Sequence, residues 1–426
     1  MPSRKPKSLP SIAGAPWLSW PETRAVFAAL AARGFVARAV GGSVRNTLLG
    51  EPVGDVDLAT TAPPQTVIEL AEAASLTAVP TGIDHGTVTL VAGERGFEVT
   101  TLRCDVKTHG RHATVAFTED WEEDARRRDF TINALYADAD GTLFDPIGGY
   151  PDILARRVRF IGDPAARIRE DYLRILRFFR INAQFGRPPY CRQGLDACVR
   201  ERAGLARLSA ERVRAELLRL LAAPGAEPAL GAMYDYGLLP LVLGGVPVLE
   251  RFRGLVRVET ELGAKPDALR RLFALGVCVE EDVARLARRL KLSNAEIRRL
   301  EALYPARDLA RSVGEREAKA LLYRSGPDVF ADIALLAMAG AGDRAVRDAW
   351  RGLCNLPSRW QAPAFPLSGG DLVALGAARG PGLGEIMSEL ERGWIERDFA
   401  PDRDALLALA RSLIEAPASD RRGEPA

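Results

Sequence analysis

Residues 37–60 read ARAVGGSVRNTLLGEPVGDVDLAT. Ala37–Val40 reads as a strand, Val44–Leu49 as a short helix and Val56–Ala59 as a second strand. Gly41 and Gly42 sit at the strand-to-helix turn, where missing side chains let a backbone approach a phosphate closely. Arg45, in the helix that follows, can grip phosphate oxygens with its planar fork. Asp55 and Asp57 are two apart, so on a strand both carboxylates leave from one face. Such a pair is a hard-oxygen pocket suited to Mg²⁺. Mg²⁺ beside a triphosphate implies phosphoryl or nucleotidyl transfer. A DxD tripeptide alone is commonly a solvated turn, and a GG pair says even less. The combination on one strand–helix–strand frame carries the reading.

Two further constellations lie downstream. In Arg126-Arg127-Arg128-Asp129-Phe130-Thr131-Ile132-Asn133-Ala134-Leu135, three arginines follow an acidic run. A charge-compensated surface turn is the ordinary explanation. Asn133 argues against it, because an amide inside an apolar run is costly unless partnered. A positioned amide and an Arg–Asp pair suit a rim that holds ribose and phosphate. In Glu170-Asp171-Tyr172-Leu173-Arg174-Ile175-Leu176-Arg177-Phe178-Phe179-Arg180, Asp171, Arg174, Arg177 and Arg180 recur every third residue. On a helix each step turns the face by roughly −60°, so the polar groups fan over one half. Leu173, Ile175, Leu176 and Phe179 fill much of the other half. Three arginines in a row without acidic partners beyond the first turn repel one another, which suits a row facing a triphosphate. Asp171 and Arg174 can offer an acceptor and a fork of donors to a base edge.

Around these motifs the chain changes character near residue 150. Before it, Thr87–Val91 and Glu98–Leu102 read as a hairpin, Thr66–Ala74 as a helix and Asn133–Ala139 as a strand leading to Leu143–Asp145. After it, Leu, Ala and Arg recur at helical spacing nearly to the end. Ser209 stands where it can cap a helix beginning at Ala210, with Arg212 in place of the Glu that would complete a capping box. The fold class read from this is α+β: a small mixed-sheet head followed by an all-helical remainder.

Composition limits the alternatives. A chain of 426 residues with 47% hydrophobic content holds several compact units. The net charge of +2 leaves room for a basic face balanced elsewhere. Five widely spaced cysteines without a CxxC exclude a zinc ribbon and fit a reducing cytoplasm. His85, His109 and His112 are too few for a histidine-rich metallohydrolase, which disfavours an attached phosphohydrolase. The basic N-terminus lacks the apolar core of a signal peptide. No stretch reaches the ~18 apolar residues of a membrane span.

The stretches AVGGSVRNTLLG…GDVDLAT, RRRDFTINAL, DPIGGYPDI…RRVRFIGDP, REDYLRILRFFR and SAERVRAELLRLL occur in this order. Together they resemble the successive motifs of class II CCA-adding enzymes and bacterial poly(A) polymerases, in the polymerase β nucleotidyltransferase superfamily. The resemblance spans about residues 37–221. It implies a polymerase-β-like head at 25–150, a helical neck at 151–225 and a tRNA-binding body and tail at 226–415. Residues 1–24 would form an extension and 416–426 a frayed end. It implies CCA addition to tRNA from CTP and ATP, with no stable protein partner and no membrane. Asp55 and Asp57 would bind Mg²⁺. Gly42, Arg45 and Arg128 would touch the nucleotide, Asp171 and Arg174 would template its base, and Arg177 and Arg180 would hold phosphate. Glu98 is the candidate third carboxylate, with Asp105 second. Cys104–Thr118 matches a flexible loop that switches such enzymes from C to A. The usual GGxVRD carries Asn46 in place of Asp, a lost supporting salt bridge. Poly(A) polymerase, an enzyme adding only CC or only A, and an inactive tRNA-binding protein are the rival readings. The two intact aspartates argue against the last.

Overall fold

The computed structural model describes residues 9–109, 112–309, 311 and 313–415, and leaves out the side chains of residues 105–115. The chain divides into two compact units, one of Met1–Pro247 with Arg285–Lys291, the other of Val248–Ala284 with Leu292–Ala426.

The first unit opens on helix α1 (Pro21–Ala31) and strand β1 (Ala37–Val40). Helix α2 (Gly42–Leu49) starts directly at the glycine pair, because Gly41 takes φ 74°, a conformation open mainly to glycine. It ends on Gly50 in the left-handed region, a common helix stop. There follow β2 (Asp57–Thr60), α3 (Pro64–Ala73), β3 (Thr77–Gly82), β4 (Thr87–Ala92) and β5 (Arg95–Thr101). A separate two-stranded hairpin is made of β6 (Arg103–His109) and β7 (His112–Phe117), with Arg103 opposite Phe117. The expected flexible loop at Cys104–Thr118 thus has a hairpin backbone. The Asp105 side chain lies outside the described residues, as does the tail from 416. Then come α4 (Trp121–Arg126), β8 (Tyr136–Ala137) and β9 (Leu143–Phe144).

Seven strands form one sheet in the order β3-β4-β5-β2-β1-β8-β9. It is mixed: β2 runs parallel to β5, and the other pairings are antiparallel. In β4, Val88, Leu90 and Ala92 alternate inward with period two. Val40, Ala59, Leu102, Ala125, Ala134, Tyr136 and Ile161 form a core cluster here. The strand expected at Asn133–Ala139 is shorter than the sequence pattern implies. Thr131–Asn133 is a 3₁₀ turn, and only Tyr136–Ala137 joins the sheet. The turn lets Asn133 face Arg45 and Asp129 instead of following a strand's alternation.

The rest of this unit is helical: α5 (Tyr150–Leu154), α6 (Pro164–Glu170), α7 (Leu173–Phe185), α8 (Arg192–Arg200) and α9 (Ala210–Ala222) lead the series. α7 is buried over more of its girth than expected, because Phe178 is also fully buried. Its ring stacks on Phe160 at 5.5 Å and leans on Phe130 at 6.3 Å. Such a ring stabilises the fold by about 2–3 kcal/mol. Gly204 lies flat against Tyr172, where an added Cβ would fall 1.9 Å from the ring. Ser209 occupies the N-cap of α9 but its hydroxyl makes no capping hydrogen bond, contrary to expectation.

The regular elements among the second unit's described residues are all helices. Its longest helix, Glu315–Gly340, is bent at Gly326 and Pro327. Buried Arg270 there binds Glu259 at 2.6 Å and Asp332 at 2.6 Å, so these three charged groups partner one another inside the core. Leu372, Ile386, Leu390, Trp394 and Leu406 make a second core cluster near its C-terminal end.

Candidate active site

A cavity of about 580 Å³ opens in the first unit. Its wall includes Gly41, Gly42, Arg45, Asp57, Glu98, Arg128, Asn133, Asp171, Arg174, Arg177 and Arg180. The candidate residues picked from sequence therefore meet in one place, with the exceptions of Asp55 and of the second-choice Asp105, whose side chain lies outside the described residues. Arg103, Arg127, Asp129 and Ile181 line it as well.

The carboxylates enter from the sheet. β2 and β5 run parallel with Leu58 beside Val99, so one position earlier Asp57 stands beside Glu98. The ladder begins at Asp57, and Asp55 precedes it in the connecting turn, which corrects the expectation of both on one strand. The alternation nevertheless extends back: Asp55 and Asp57 are exposed, Val56 and Leu58 buried. Although Asp57 remains open to solvent, the groups packed around its carboxyl partly desolvate it and push it up, and the charges of Glu98 and Asp55 push it further, to about 6. Arg128 works in the opposite direction. Among the described residues no group of three or more His, Cys, Asp or Glu can hold a metal ion by itself. A cation seated on Asp57 and Asp55 would need further oxygens from a ligand, as Mg²⁺ bound by one or two carboxylates and substrate phosphates has.

The arginines are held from behind. Asp124 is fully buried. It accepts Arg127 Nε at 2.8 Å, Arg128 Nη2 at 3.1 Å and the Tyr136 hydroxyl at 2.7 Å. Burial alone would raise its carboxyl, but the two arginines and Tyr136 hold it below the usual carboxylate range. Burial works against the charge on Arg128, and Tyr136 and Asp124 outweigh it and raise the guanidinium. The acidic run does compensate the three arginines, Arg126 pairing with Glu122 on the surface, but Asp124 makes the arrangement internal. Asp124 was not among the expected site residues, and its spacing of three and four from Arg127 and Arg128 is the local signal that marks it.

Arg45 donates to Asn133 Oδ1 and, at 2.9 Å, to Asn46 Oδ1, and lies 3.8 Å over the Phe185 ring. Asn46 thus keeps a hydrogen bond where an Asp would have made a salt bridge. Its amide donates to Pro52 O at 2.7 Å. Burial, helped by Arg180, pushes Arg45 down to about 10, with Asp129 opposing.

The arginine row of α7 is not unpaired, as its sequence suggested. Arg174 pairs with Glu170 and donates to Arg167 O at 2.6 Å. Arg177 pairs with Asp129, and Arg180 with Glu216 at 2.5 Å. Asp129 and Glu216 come from distant parts of the chain, which is why local spacing did not reveal them. Arg167 also donates to Arg128 O at 2.8 Å, tying α6 to the arginine turn. Asp171 sits between α6 and α7 in extended conformation, with Leu173 N on Oδ1 at 3.1 Å and Arg212 Nη2 on Oδ2 at 2.7 Å.

A cavity with two carboxylates on adjacent strands, a glycine turn and a wall of arginines is that of a nucleotidyltransferase on a small mixed sheet. Comparison with known proteins agrees. Residues 37–159 match the family model of the poly A polymerase head domain, and residues 194–252 that of a probable RNA and SrmB-binding site of polymerase A. The Mus musculus mitochondrial CCA tRNA nucleotidyltransferase 1 is 36% identical over 385 residues, 87% of this chain and 85% of that one. The CCA-adding enzyme of Limosilactobacillus fermentum is 32% identical, covering 92% and 97% of the two chains. A solved Bacillus stearothermophilus CCA-adding enzyme in complex with CTP superposes with TM-score 0.73 at 28% identity, over 92% of this chain and 96% of that one. The chain belongs to the CCA-adding tRNA nucleotidyltransferases. The likeness runs well past residue 221, where the resemblance of motifs ended, into the C-terminal helices. Enzymes of this class work with a divalent metal. No helix among the described residues is long and apolar enough to cross a membrane.

Proposed function

We propose that this chain adds CCA to the 3′ end of tRNA from CTP and ATP, releasing pyrophosphate. The observation that carries the reading is the gathering of Asp57, Glu98 and the arginines of three separate motifs around one cavity. Mg²⁺ is the metal we assign, held by Asp55 and Asp57 together with phosphate oxygens of the nucleotide. When bound it supplies positive charge that lowers the pKa of the tRNA 3′-hydroxyl and neutralises the leaving group. Glu98, beside Asp57, is the third carboxylate of this reading. Gly41 and Gly42 admit the triphosphate close to the backbone of α2. Arg45, Arg128, Arg177 and Arg180 hold its oxygens, and Asn133 holds Arg45 and the ribose side of the site.

Asp171 and Arg174 meet the Watson–Crick edge of the base. Cytosine and adenine both present an exocyclic amine to a carboxylate, and uracil and guanine present a carbonyl oxygen there. A mismatched base leaves a buried donor or acceptor unpaired, at about 1–3 kcal/mol, which is one to two orders of magnitude in rate. We assign the head to residues 25–150, the neck to 151–225 and tRNA contact to the helices of 226–415, by shape and phosphate rather than sequence. Five free cysteines suit the reducing cytoplasm, the compartment we assign.

Purified protein with tRNA lacking CCA, Mg²⁺ and each labelled nucleotide, followed by 3′-end sequencing, tests the reading. Products ending in CCA are expected. Ends of CC, a single A or a long A tract would replace it with a split enzyme or a poly(A) polymerase, and no extension would leave an inactive tRNA-binding protein.

A further inference from the structure

The ion pair between Arg212 and Asp171 closes at 2.7 Å, with the two side chains 28% and 19% exposed. Asp171 lines the cavity and Arg212 stands behind it, outside the lining residues. A carboxylate torsion is broad and two-fold, so on its own it sets no fixed plane for the base. Here both Asp171 oxygens are engaged, one by Leu173 N at 3.1 Å and one by Arg212, and two lone-pair directions remain open.

The helix that carries Arg212 is built for this. One turn further along α9, Glu216 reaches Arg180 at 2.5 Å. Residues four apart on one face of α9 thus grip two groups of the cavity of opposite charge. The local rules of helix capping are broken at the same place. Arg212 occupies the N3 position, where Glu would close a capping box with Ser209, and Ser209 makes no capping bond. A local preference given up without a local gain points to a gain elsewhere.

We propose that Arg212 is a positioning residue for nucleotide choice: its guanidinium fixes the plane and height of the Asp171 carboxylate against the base edge. This rests on the reading of Asp171 and Arg174 as the base-reading pair. Without Arg212, Asp171 turns about its bond to Leu173 N and accepts a wider range of edges. The loss of one charge-assisted hydrogen bond of this kind corresponds to about a tenfold change.

The test uses the full chain, tRNA lacking CCA and saturating Mg²⁺, with kcat/KM measured for CTP and UTP. R212Q is expected to lower the CTP/UTP ratio about tenfold. R212K, which keeps the cation, is expected to restore most of it. D171A is measured alongside. An unchanged ratio in R212Q, with a changed ratio in D171A, overturns the role of Arg212 and leaves the base-reading pair standing. An unchanged ratio in D171A overturns that pair and the proposal with it. Equal losses for CTP and UTP in R212Q mean a purely structural role and also overturn it. If R212Q does not fold, R212A takes its place, and each outcome supports or overturns the role of Arg212 in the same way.

Discussion

Arg177 donates from Nε at 2.9 Å and from Nη2 at 2.5 Å to a single oxygen of Asp129. The other oxygen takes Phe130 N at 2.8 Å and Asn133 Nδ2 at 3.2 Å. Burial would raise this carboxyl, yet Arg177, Asn133 and the Phe130 N–H hold it below the usual range. Asp129 therefore joins the arginine turn, the 3₁₀ turn and α7 at one buried point.

Asp129→Ala should release Arg177 and Asn133 together. The expected cost is about 1–3 kcal/mol of stability, read by urea denaturation, because buried donors lose their partner. Triphosphate KM should rise about tenfold, because the phosphate-binding fork is no longer aimed. A normal KM would show that Arg177 finds its place unaided.

Asp57 titrates near pH 6, above an unfolded aspartate, so the folded chain takes up a proton there first. Two consequences carry opposite signs. Metal-free protein should gain stability from this group as pH falls from about 6 toward 4, since the native state binds the extra proton. Divalent-metal affinity should fall over the same range, about tenfold per pH unit below 6, because proton and cation compete for one carboxylate. Metal titrations between pH 5 and 8 check this, and Asp57→Asn should flatten the curve.

Asp55→Ala should reduce incorporation to roughly a thousandth or less, because metal charge stabilisation is worth several kcal/mol of barrier. Circular dichroism should remain that of the parent, as Asp55 is exposed. Substantial turnover would remove Asp55 from the metal site.

Arg174→Ala should blur the choice among CTP, ATP and UTP by about one to two orders of magnitude while tRNA affinity stays near the parent value. Filter binding and competition kinetics separate the two. An unchanged CTP/UTP ratio would move base selection to other residues.

Gly204→Ala places a methyl group into the Tyr172 ring. Since Tyr172 adjoins Asp171, a drop of about 1–3 kcal/mol in stability should come with loss of nucleotide selection, the overpacking being passed to the neighbouring residue. A stable variant with full selectivity would show that the ring can yield.

Much of this was legible in the sequence because the relevant signals are local. Ala37–Val40 appears as a strand at its expected bounds, and in the hairpin β4 starts at Thr87 as expected and ends one residue later, while β5 starts three residues earlier and ends one earlier. The glycine turn and Asp57 follow from spacing alone. β3 escaped notice because it is a mostly exposed edge strand with Pro80 inside it, so neither alternation nor burial marks it. The pairing of the α7 arginines escaped for a different reason. Their partners, Asp129 and Glu216, lie 48 and 36 residues away, and only the tertiary fold brings them within hydrogen-bonding distance. Arg103 likewise reaches the cavity from the foot of a hairpin whose sequence carries no mark of it.

The arginine wall has a kinetic consequence. Seven arginines line the cavity with four carboxylates, Asp57, Glu98, Asp129 and Asp171. Three more carboxylates, Asp124, Glu170 and Glu216, and two more arginines, Arg167 and Arg212, stand directly behind them as partners. The charges nearly cancel, so at distances beyond a Debye length a free triphosphate feels little pull. Nucleotide capture by this site is a matter of fit on arrival rather than long-range attraction, and its association rate should change little with ionic strength.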